Sequence, residues 1–366
     1  MSVLSMWRFA TSSLVLGLIL LPFLNSPNLH AQKRNKKNEE PKSQVLPLPP
    51  ELPMVLAADT QGLDFHISPL LKSGGLAVQI RRSLTDLLRD TKGETIVKLR
   101  AFVSGVGDAR RVQTEVTSIF SERKLPLPVL TIVQVGQLGD DLAQIVIEAV
   151  VSTKRTRNPN GLGFLSGQTG KSLREALEHL RESAAEAEIT ADQVVSCTCF
   201  ASSVESADAS RSAVQAVFPK TEINVVQALR DPVTNTTLCQ GIAQLSHPPK
   251  ESALVWIRNA HVSLVNSPRL VFTGLQLSFG NYLDDAHQAF TRLQRAASAL
   301  QASEAPVQVN AFSLDLTAAS ALRKSTSFPP SVFTVQTIEG LPSVDASAGI
   351  EAILAPEISQ PSIFQR

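Results

Sequence analysis

The chain has 366 residues, of which 43% are hydrophobic and 18% are charged, and its formal net charge at pH 7 is +1. This length allows two or three globular domains with enough apolar area for a core. A nearly neutral chain lacks the basic surface that binds nucleic acid, so no nucleic-acid partner is expected. One Tyr and two Trp also leave few rings on which bases or sugars would stack.

Residues 1–31 have the features of an export signal. Arg8 gives a positively charged start, residues 14–24 give a short apolar run, and Ala31 is a small residue just before Gln32. The apolar run is shorter than the roughly 20 residues that a membrane-spanning helix needs. We therefore expect an exported protein, periplasmic or extracellular, with no further membrane contact. An uncleaved N-terminal membrane anchor is the alternative.

The three cysteines do not have the spacing of a metal site. Cys197 and Cys199 share one face of a predicted strand, and in an exported protein either could pair with Cys239. Three buried free thiols are the alternative. The six histidines are scattered, with no pair at ligand spacing. No metal and no cofactor are therefore predicted.

Two runs rich in β-branched residues stand on either side of a polar turn. The first covers residues 129–135 and the second residues 145–151, with Gly136 and Gly139 between them. Pro128 precedes the first run, where a missing backbone N–H costs little. The pattern predicts two largely buried strands that close one structural unit.

The order strand, helix, strand, helix, strand, strand occurs three times. Each copy contains a strand in which Val and Phe stand five residues apart, namely Val97 with Phe102, Val195 with Phe200, and Val307 with Phe312. An amphipathic helix precedes each of these strands, and Pro128, Pro219 and Pro329 open the next ones. A period of roughly 100 residues is that of a small domain rather than a solenoid repeat. The predicted organisation is a charged, then Pro-rich linker at 32–56, units at 57–153, 158–247 and 253–356, and a frayed tail at 357–366.

The units resemble the RidA/YjgF family of reactive-intermediate deaminases, also known as L-PSP endoribonuclease-like proteins. The family pattern contains Ser-Gly-Gln at a strand end, V-K-x-x-x-F-V, F-P-A-R-S-x-V-x-V-x-x-L-P and E-I-E-A. The matching residues are Val97-Lys98, Phe102-Val103, Leu127-Pro128, Val133, Val135, Leu138 and Ile147-Glu148-Ala149 in the first unit, Ser166-Gly167-Gln168 and Phe218-Pro219 in the second, and Phe328-Pro329, Leu341-Pro342 and Ile350-Glu351-Ala352 in the third.

The resemblance covers nearly all of the expected mature chain and implies an α+β fold built from chorismate-mutase-like units. Family members assemble as homotrimers with clefts between their subunits. Three units in one chain therefore imply an intramolecular pseudo-trimer, with the sheets inside and the helices outside. The protein is expected to be a monomer.

The family hydrolyses enamines and imines made from amino acids, and it needs an Arg to hold the substrate carboxylate. That Arg stands two residues after the strand proline. The corresponding positions here are Leu130, Thr221 and Ser331, none of which binds a carboxylate as Arg does. The family's acidic residue, two positions before the Glu-Ala pair, falls on Val146, on about Leu238 and on Gly349.

Five polar residues remain as ligand-binding candidates. Glu148 and Glu351 match the family's second acid, Ser166 and Gln168 match its Ser-Gly-Gln, and Lys220 neighbours a lost Arg position. Each also has a structural interpretation, as a carboxylate at a sheet end, a turn or a solvated Lys. We expect a non-catalytic module that binds a small ligand in an inter-unit cleft or acts as a scaffold. The alternative is an enamine/imine deaminase, a hydrolase, with a rebuilt site.

Overall fold

The computed structural model describes residues 50–105, 107–250, 252–300 and 305–356, all of which belong to one compact unit. The predicted signal, the predicted tail and most of the predicted linker lie outside these ranges. The linker was predicted to end at residue 56, but the first strand already begins at Val55. Within the described ranges, no helix combines the length and the apolar character needed to cross a membrane.

The described chain contains six α-helices and sixteen strands. The helices are α1 (Leu76–Asp90), α2 (Arg110–Glu122), α3 (Leu173–Glu186), α4 (Ala207–Val217), α5 (Leu283–Ser298) and α6 (Leu316–Ser325). The strands are β1 (Val55–Asp59), β2 (Leu63–Ile67), β3 (Thr95–Ser104), β4 (Val129–Val135), β5 (Ile145–Ser152), β6 (Leu162–Gly170), β7 (Val194–Ala201), β8 (Glu222–Gln227), β9 (Thr237–Gln244), β10 (Leu254–Ile257), β11 (Val262–Val265), β12 (Arg269–Thr273), β13 (Gln276–Ser278), β14 (Ala305–Ser313), β15 (Phe333–Thr337) and β16 (Ala348–Ala355).

The strands form three sheets. Their orders are β2-β5-β3-β4, then β10-β11-β6-β9-β7-β8, then β1-β12-β16-β14-β15 with β13 also on β16. Each sheet has one parallel pair, β3 with β4, β7 with β8, and β14 with β15. The two predicted strands β4 and β5 are not neighbours, because β3 lies between them.

Three strands, β1, β10 and β11, join a sheet outside the unit in which the sequence places them. β1, which continues into the predicted first unit, pairs with β12 of the third sheet. β11 falls in the predicted third unit but pairs with β6 of the second sheet. The chain just before the first sheet thus joins the third sheet, and the chain just before the third sheet joins the second.

One face of each sheet is covered by helices and forms its own apolar core. The predicted helical stripes supply these cores, with Leu84 of α1, Leu180 of α3 and Leu293 of α5 almost fully buried. The amphipathic helices predicted from the sequence are thus confirmed. The arrangement is a mixed α+β fold with three sheets and six helices.

The other faces of the three sheets meet one another. Phe102, Phe200 and Phe312, one from each sheet, are buried together, with ring centroids 5.7 Å apart for the first pair and 6.0 Å apart for the second. These are the three Phe residues of the predicted Val-Phe strands. Aromatic pairs at such distances contribute about 0.5–1.5 kcal/mol beyond the area that they bury.

The second sheet contains the three cysteines. Cys199 of β7 forms a disulfide with Cys239 of β9, to which it is directly paired in the sheet. Cys197 is a buried free thiol, and burial raises its pKa to about 12. Of the alternatives left open by the sequence, the structure therefore has one disulfide and one free cysteine.

Candidate functional site

A layer of charged residues is buried between the three sheets, next to the Phe cluster. Lys98 and Arg100 lie on β3, Glu148 on β5 and Glu351 on β16. Alternate residues of a strand face the same side, so Lys98 and Arg100 follow Phe102 onto the inner face. The side chains of Lys98 and Glu351 are only 6% and 3% exposed. Two cations and two carboxylates therefore share one nearly dry space.

Glu351 is the most heavily bonded member of this layer. Its carboxylate lies 2.7 Å from Lys98 Nζ and 3.4 Å from Arg100 Nη1. The Thr131 hydroxyl and the Asn310 side-chain amide also donate to it. Burial alone would raise the pKa of Glu351, but the two cations outweigh burial and lower this pKa to about 2. Glu351 is therefore an anion at neutral pH.

The two cations respond differently to burial. Burial lowers the pKa of Lys98, and the neighbouring Arg100 guanidinium lowers it further. The Glu351 carboxylate raises this pKa but does not outweigh burial. Burial also disfavours the charge on Arg100, but Glu148 and Glu351 overcome this and raise its pKa. Lys98 additionally donates to the backbone oxygen of Thr273 at 3.1 Å.

Glu148 links the first sheet to the second. It accepts a hydrogen bond from Arg100 Nε at 2.8 Å within its own sheet. It also accepts from the Thr198 hydroxyl at 2.7 Å and from the Asn224 amide at 2.6 Å, both of the second sheet. Charge-assisted hydrogen bonds of this kind are stronger than neutral ones.

The layer has one equivalent position in each sheet. In register, Arg100 stands opposite Glu148, Thr198 opposite Gln240, and Asn310 opposite Glu351. Glu148, Gln240 and Glu351 each contact a neighbouring sheet. Glu148 of the first sheet accepts from Thr198 of the second, and Gln240 of the second accepts from Gln308 of the third at 3.4 Å. Glu351 of the third sheet pairs with Lys98 of the first. The contacts thus run in one direction around the three sheets, while both cations come from β3 alone.

The other predicted ligand-binding residues lie outside this layer. Ser166 is fully buried on β6, and Gln168 on the same strand donates to the Ala260 backbone oxygen at 3.3 Å. Lys220 forms a surface ion pair with Asp192 at 2.9 Å, with both side chains more than half exposed. Among the predicted candidates, only Glu148 and Glu351 take part in the charged layer.

The sheet register and the proline spacing select different residues in two of the three sheets. Leu130 pairs with Leu99 in the first parallel pair. The residues at the same register in the other two pairs are Ile223 and Phe333, two places beyond the Thr221 and Ser331 taken from proline spacing. The two differ because β4 begins directly after its proline, whereas Ser331 lies in a short 3₁₀ turn before β15. Neither Ile223 nor Phe333 is a cation.

Two of the junctions between sheets contain a cavity. The cavity between the second and third sheets has a volume of about 240 Å³. Two cavities lie between the first and second sheets: one of about 30 Å³, room for little more than a water molecule, and one of about 380 Å³ beside Asp140, Gln227 and Arg230. At the junction of the third and first sheets, the Leu275 N–H donates to the Leu130 backbone oxygen at 3.4 Å. The junctions are therefore not equally open.

The cavity between the second and third sheets has a polar wall and an apolar floor. The polar wall consists of Thr169, Ser202, Thr234, Thr236, Gln336, Thr337 and the exposed Arg323 of α6. Leu238, which stands at about the position predicted for the family's acid, lines this cavity, and Val146 lines the 30 Å³ cavity. Neither Glu148 nor Glu351 lines either cavity.

Most members of the charged layer were not among the residues predicted to bind a ligand. Arg100, Thr131, Thr198 and Asn224 occur as isolated polar residues inside apolar strands, and every second residue around them faces inward. This alternation was the feature of the sequence from which their inward position could have been predicted. Within the part of the chain that the structure describes, no group of three or more His, Cys, Asp and Glu is placed to hold a metal ion.

No protein-family model matches the chain, and no curated protein matches it. Among solved structures, TdcF of E. coli with bound serine is 18% identical over 27% of this chain and 86% of its own, with a TM-score of 0.24. YEO7 of yeast is 21% identical over 31% and 90%, with a TM-score of 0.22. Both are RidA/YjgF proteins.

A longer solved structure also resembles the chain. The cyanuric acid hydrolase of A. caulinodans is 11% identical over 83% of this chain and all of its own, with a TM-score of 0.22. At such values the likenesses concern the fold, over about a third of the chain for each RidA/YjgF protein, and nothing about function follows from them.

Proposed function

We propose that this is an exported, non-catalytic binding protein in which three RidA-like units close on one another as an intramolecular pseudo-trimer. One observation carries the proposal: Glu148 and Glu351, the two acids that match the family, are engaged with Lys98 and Arg100 inside the buried layer. A carboxylate that is held in this way and sealed from the clefts is not available to place a water molecule on a substrate.

The recurrence of the same strand order supports the three-unit interpretation. The orders β2-β5-β3-β4, β6-β9-β7-β8 and β12-β16-β14-β15 are equivalent, and each contains one parallel pair in the same place. The meeting of Phe102, Phe200 and Phe312 and the one-directional contacts of the charged layer support closure around a common axis. In this proposal, the three units take the place of the family's three subunits.

The chemistry of the clefts supports the absence of catalysis. If the family's Arg corresponds to Leu130, the residues at the same register in the other two sheets are Ile223 and Phe333, and none of the three is a cation. Leu238 and Val146, which the resemblance aligns with the family's acid, line two of the cavities. At these positions a substrate would therefore find neither the family's carboxylate-binding Arg nor the family's proton-transfer group.

The cavity between the second and third sheets is the site that we propose for ligand binding. At about 240 Å³ it is slightly below the usual range for ligand pockets, so it fits a small molecule. Several hydroxyl groups and one guanidinium, that of Arg323, line it beside apolar side chains. The ligand class we propose is a small polar molecule with one anionic group.

Two measurements test this proposal. The purified chain is incubated with an enamine generated from an amino acid, and the decay of the enamine is followed beside a family deaminase; we expect decay at the buffer rate. Binding of small hydroxylated carboxylates is followed by NMR, where we expect shifts in the wild type that are lost in Arg323→Ala. Arg174→Ala, an exposed Arg on α3 that does not line the cavity, is the control. Turnover at a family-like rate would refute the non-catalytic assignment.

A deaminase with a rebuilt site is the second candidate, and Arg323 favours it as the guanidinium of the open cavity. In that case enamine hydrolysis would be measurable and would fall at least tenfold in Arg323→Ala, since a charge-assisted hydrogen bond contributes about 1.5–3 kcal/mol. Binding of a small carboxylate without enamine hydrolysis would favour the non-catalytic binding protein over the deaminase.

A further inference from the structure

The face of the second sheet that is covered by helices has a pocket at its edge. The pocket lies between the end of α3 and the hairpin of β10 and β11, and its volume is about 370 Å³. This volume is within the range of pockets that bind small ligands. At the same edge the third sheet has the single strand β1, and among the described residues the first sheet ends at β2. Within this part of the chain, the hairpin is thus an addition to the second sheet alone.

The hairpin gives the pocket an apolar floor. Val255 and Ile257 lie on β10, and Leu264 stands opposite Val255 on β11. All three line the pocket and are half-buried. Trp256 between them faces the other way, and its Nε1 donates to the Pro306 backbone oxygen at 2.9 Å. Because every second residue of a strand faces the same side, the floor is continuous.

The end of α3 supplies two carboxylates to the rim of the pocket. Glu186 is the last residue of the helix and Glu188 follows two places later, and both are exposed and line the pocket. Glu188 has a left-handed backbone, with φ of 58°, and its N–H donates to the Ala185 backbone oxygen at 3.0 Å. Among the described residues, neither carboxylate forms an ion pair. Both are therefore available to a ligand.

This arrangement of charge is unfavourable for the helix itself. The C-terminus of a helix carries partial negative charge and favours cations. The residues in the same left-handed conformation just after α1 and α2 are Lys92 and Lys124, which fit this rule. At the corresponding place α3 has Glu188, and its last turn contains no basic residue. A cation bound beside these carboxylates would relieve the repulsion.

The second wall of the pocket consists of residues 245–250. A hydrogen bond from Gln193 Nε2 to Ser246 Oγ, 2.8 Å long, fixes the start of this wall. His247 and Lys250 lie further along it. The two glutamates outnumber the lysine, so the formal charge of the lining residues is negative when the histidine is neutral.

We propose that this pocket binds a small organic cation with an apolar body, such as an alkylammonium ion. Glu186 and Glu188 accept hydrogen bonds from the ammonium group, and such charge-assisted bonds are stronger than neutral ones. The floor of Val255, Ile257 and Leu264 covers the alkyl group, which leaves water on binding. The pocket is separate from the cavity between the second and third sheets and does not depend on the function proposed for it.

The test titrates the full chain with isopentylamine and follows the NMR shifts of residues that line the pocket. Isopentanol has the same body without the charge, isovalerate has a carboxylate in place of the ammonium group, and methylammonium has the charge without the body. We expect saturable binding of isopentylamine with a dissociation constant in the millimolar range, because so few atoms contribute a limited binding energy. Each of the other three probes should bind at least tenfold more weakly.

Glu188→Lys is the most informative variant. It gives α3 the residue type that follows α1 and α2 in the same conformation, so the thermal midpoint should rise or stay unchanged. Binding of isopentylamine should nevertheless weaken at least tenfold. The control is Glu205→Lys, which makes the same change of charge in the loop between β7 and α4, does not line the pocket and keeps binding. Arg323→Ala also keeps it, because Arg323 lines the other cavity.

Equal binding of isopentylamine and isopentanol would overturn the proposal, because the carboxylates would then contribute nothing. Unchanged binding of isopentylamine in folded Glu188→Lys would overturn it as well, as would shifts that do not saturate. The four probes are compared on the wild-type protein, so the proposal can fail even where a variant does not fold.

Discussion

At the scale of single residues, Glu351 is the central group of the buried layer. It faces both Lys98 and Arg100, and its own side chain is 3% exposed. Removing one partner of a buried ion pair typically costs about 3–5 kcal/mol, because the remaining charge stays buried without compensation. We expect Glu351→Gln to lower the free energy of unfolding by this amount, measured by urea denaturation.

The control for this substitution is Glu178→Gln. Glu178 also forms an ion pair, with Arg181 one helical turn away, but its side chain is 43% exposed. Exposed pairs contribute little, so the free energy of unfolding should change by less than about 1 kcal/mol. Equal effects of the two substitutions would contradict the role given to the buried layer.

The same carboxylate predicts a dependence of stability on pH. The folded-state pKa of Glu351 is about 2, below its ordinary value of 4.5. A lowered folded-state pKa gives stability that is fully present above pH 4.5 and is lost as the pH falls toward 2. We expect the unfolding free energy to decline across this window, and the decline to be shallower in Glu351→Gln. Parallel pH profiles of the two proteins would contradict this assignment.

At the scale of elements, helices were easier to predict than the pairing of strands. The stripe of Leu84 and its neighbours specifies α1 locally, since a helix buries one face at a period of 3.6 residues. The transfer of β1 and β11 to other sheets involves contacts far apart in the sequence, and no local pattern encodes it. Thr221 and Ser331, taken from proline spacing, do not share the register of Leu130, because the length of chain between proline and strand varies.

The candidate site was predicted only in part, for a related reason. Glu148 and Glu351 could be found by their match to a family motif. Their partners could not, because Arg100 and Asn224 acquire their role only when different sheets meet. The Cys199–Cys239 disulfide likewise remained one of several alternatives until the register of β7 and β9 was known.

That disulfide is a testable property of two neighbouring strands. The two cysteines are 40 residues apart in the sequence. Closing such a loop lowers the conformational entropy of the unfolded chain, and in the chain-entropy description this stabilises the folded state by about 4 kcal/mol. We expect Cys199→Ala/Cys239→Ala to lower the denaturation midpoint clearly, whereas Cys197→Ala does so much less. Mass spectrometry of the unreduced, unfolded protein after alkylation should find the label on Cys197 alone. A label on all three cysteines would show that the disulfide does not form.

At the scale of the whole molecule, the three sheets depend on one another. Their shared inner cluster contains Phe312 of the third sheet and Ile338 and Leu341, which follow β15. A chain that ends at residue 266 keeps β10 and β11 on the second sheet but loses these side chains. We expect it to bind a hydrophobic dye and to aggregate, because apolar faces of the first two sheets become exposed. A soluble monomer of this shortened chain that binds no dye would contradict the expectation.

Solution scattering of residues 50–356, together with the molar mass, tests the central claim that three units in one chain replace three subunits. The claim predicts the mass of one chain and a radius of gyration of about 19 Å, the value for a compact domain of this length. A homotrimer of these chains, or an extended three-lobed profile from a single chain, would contradict it.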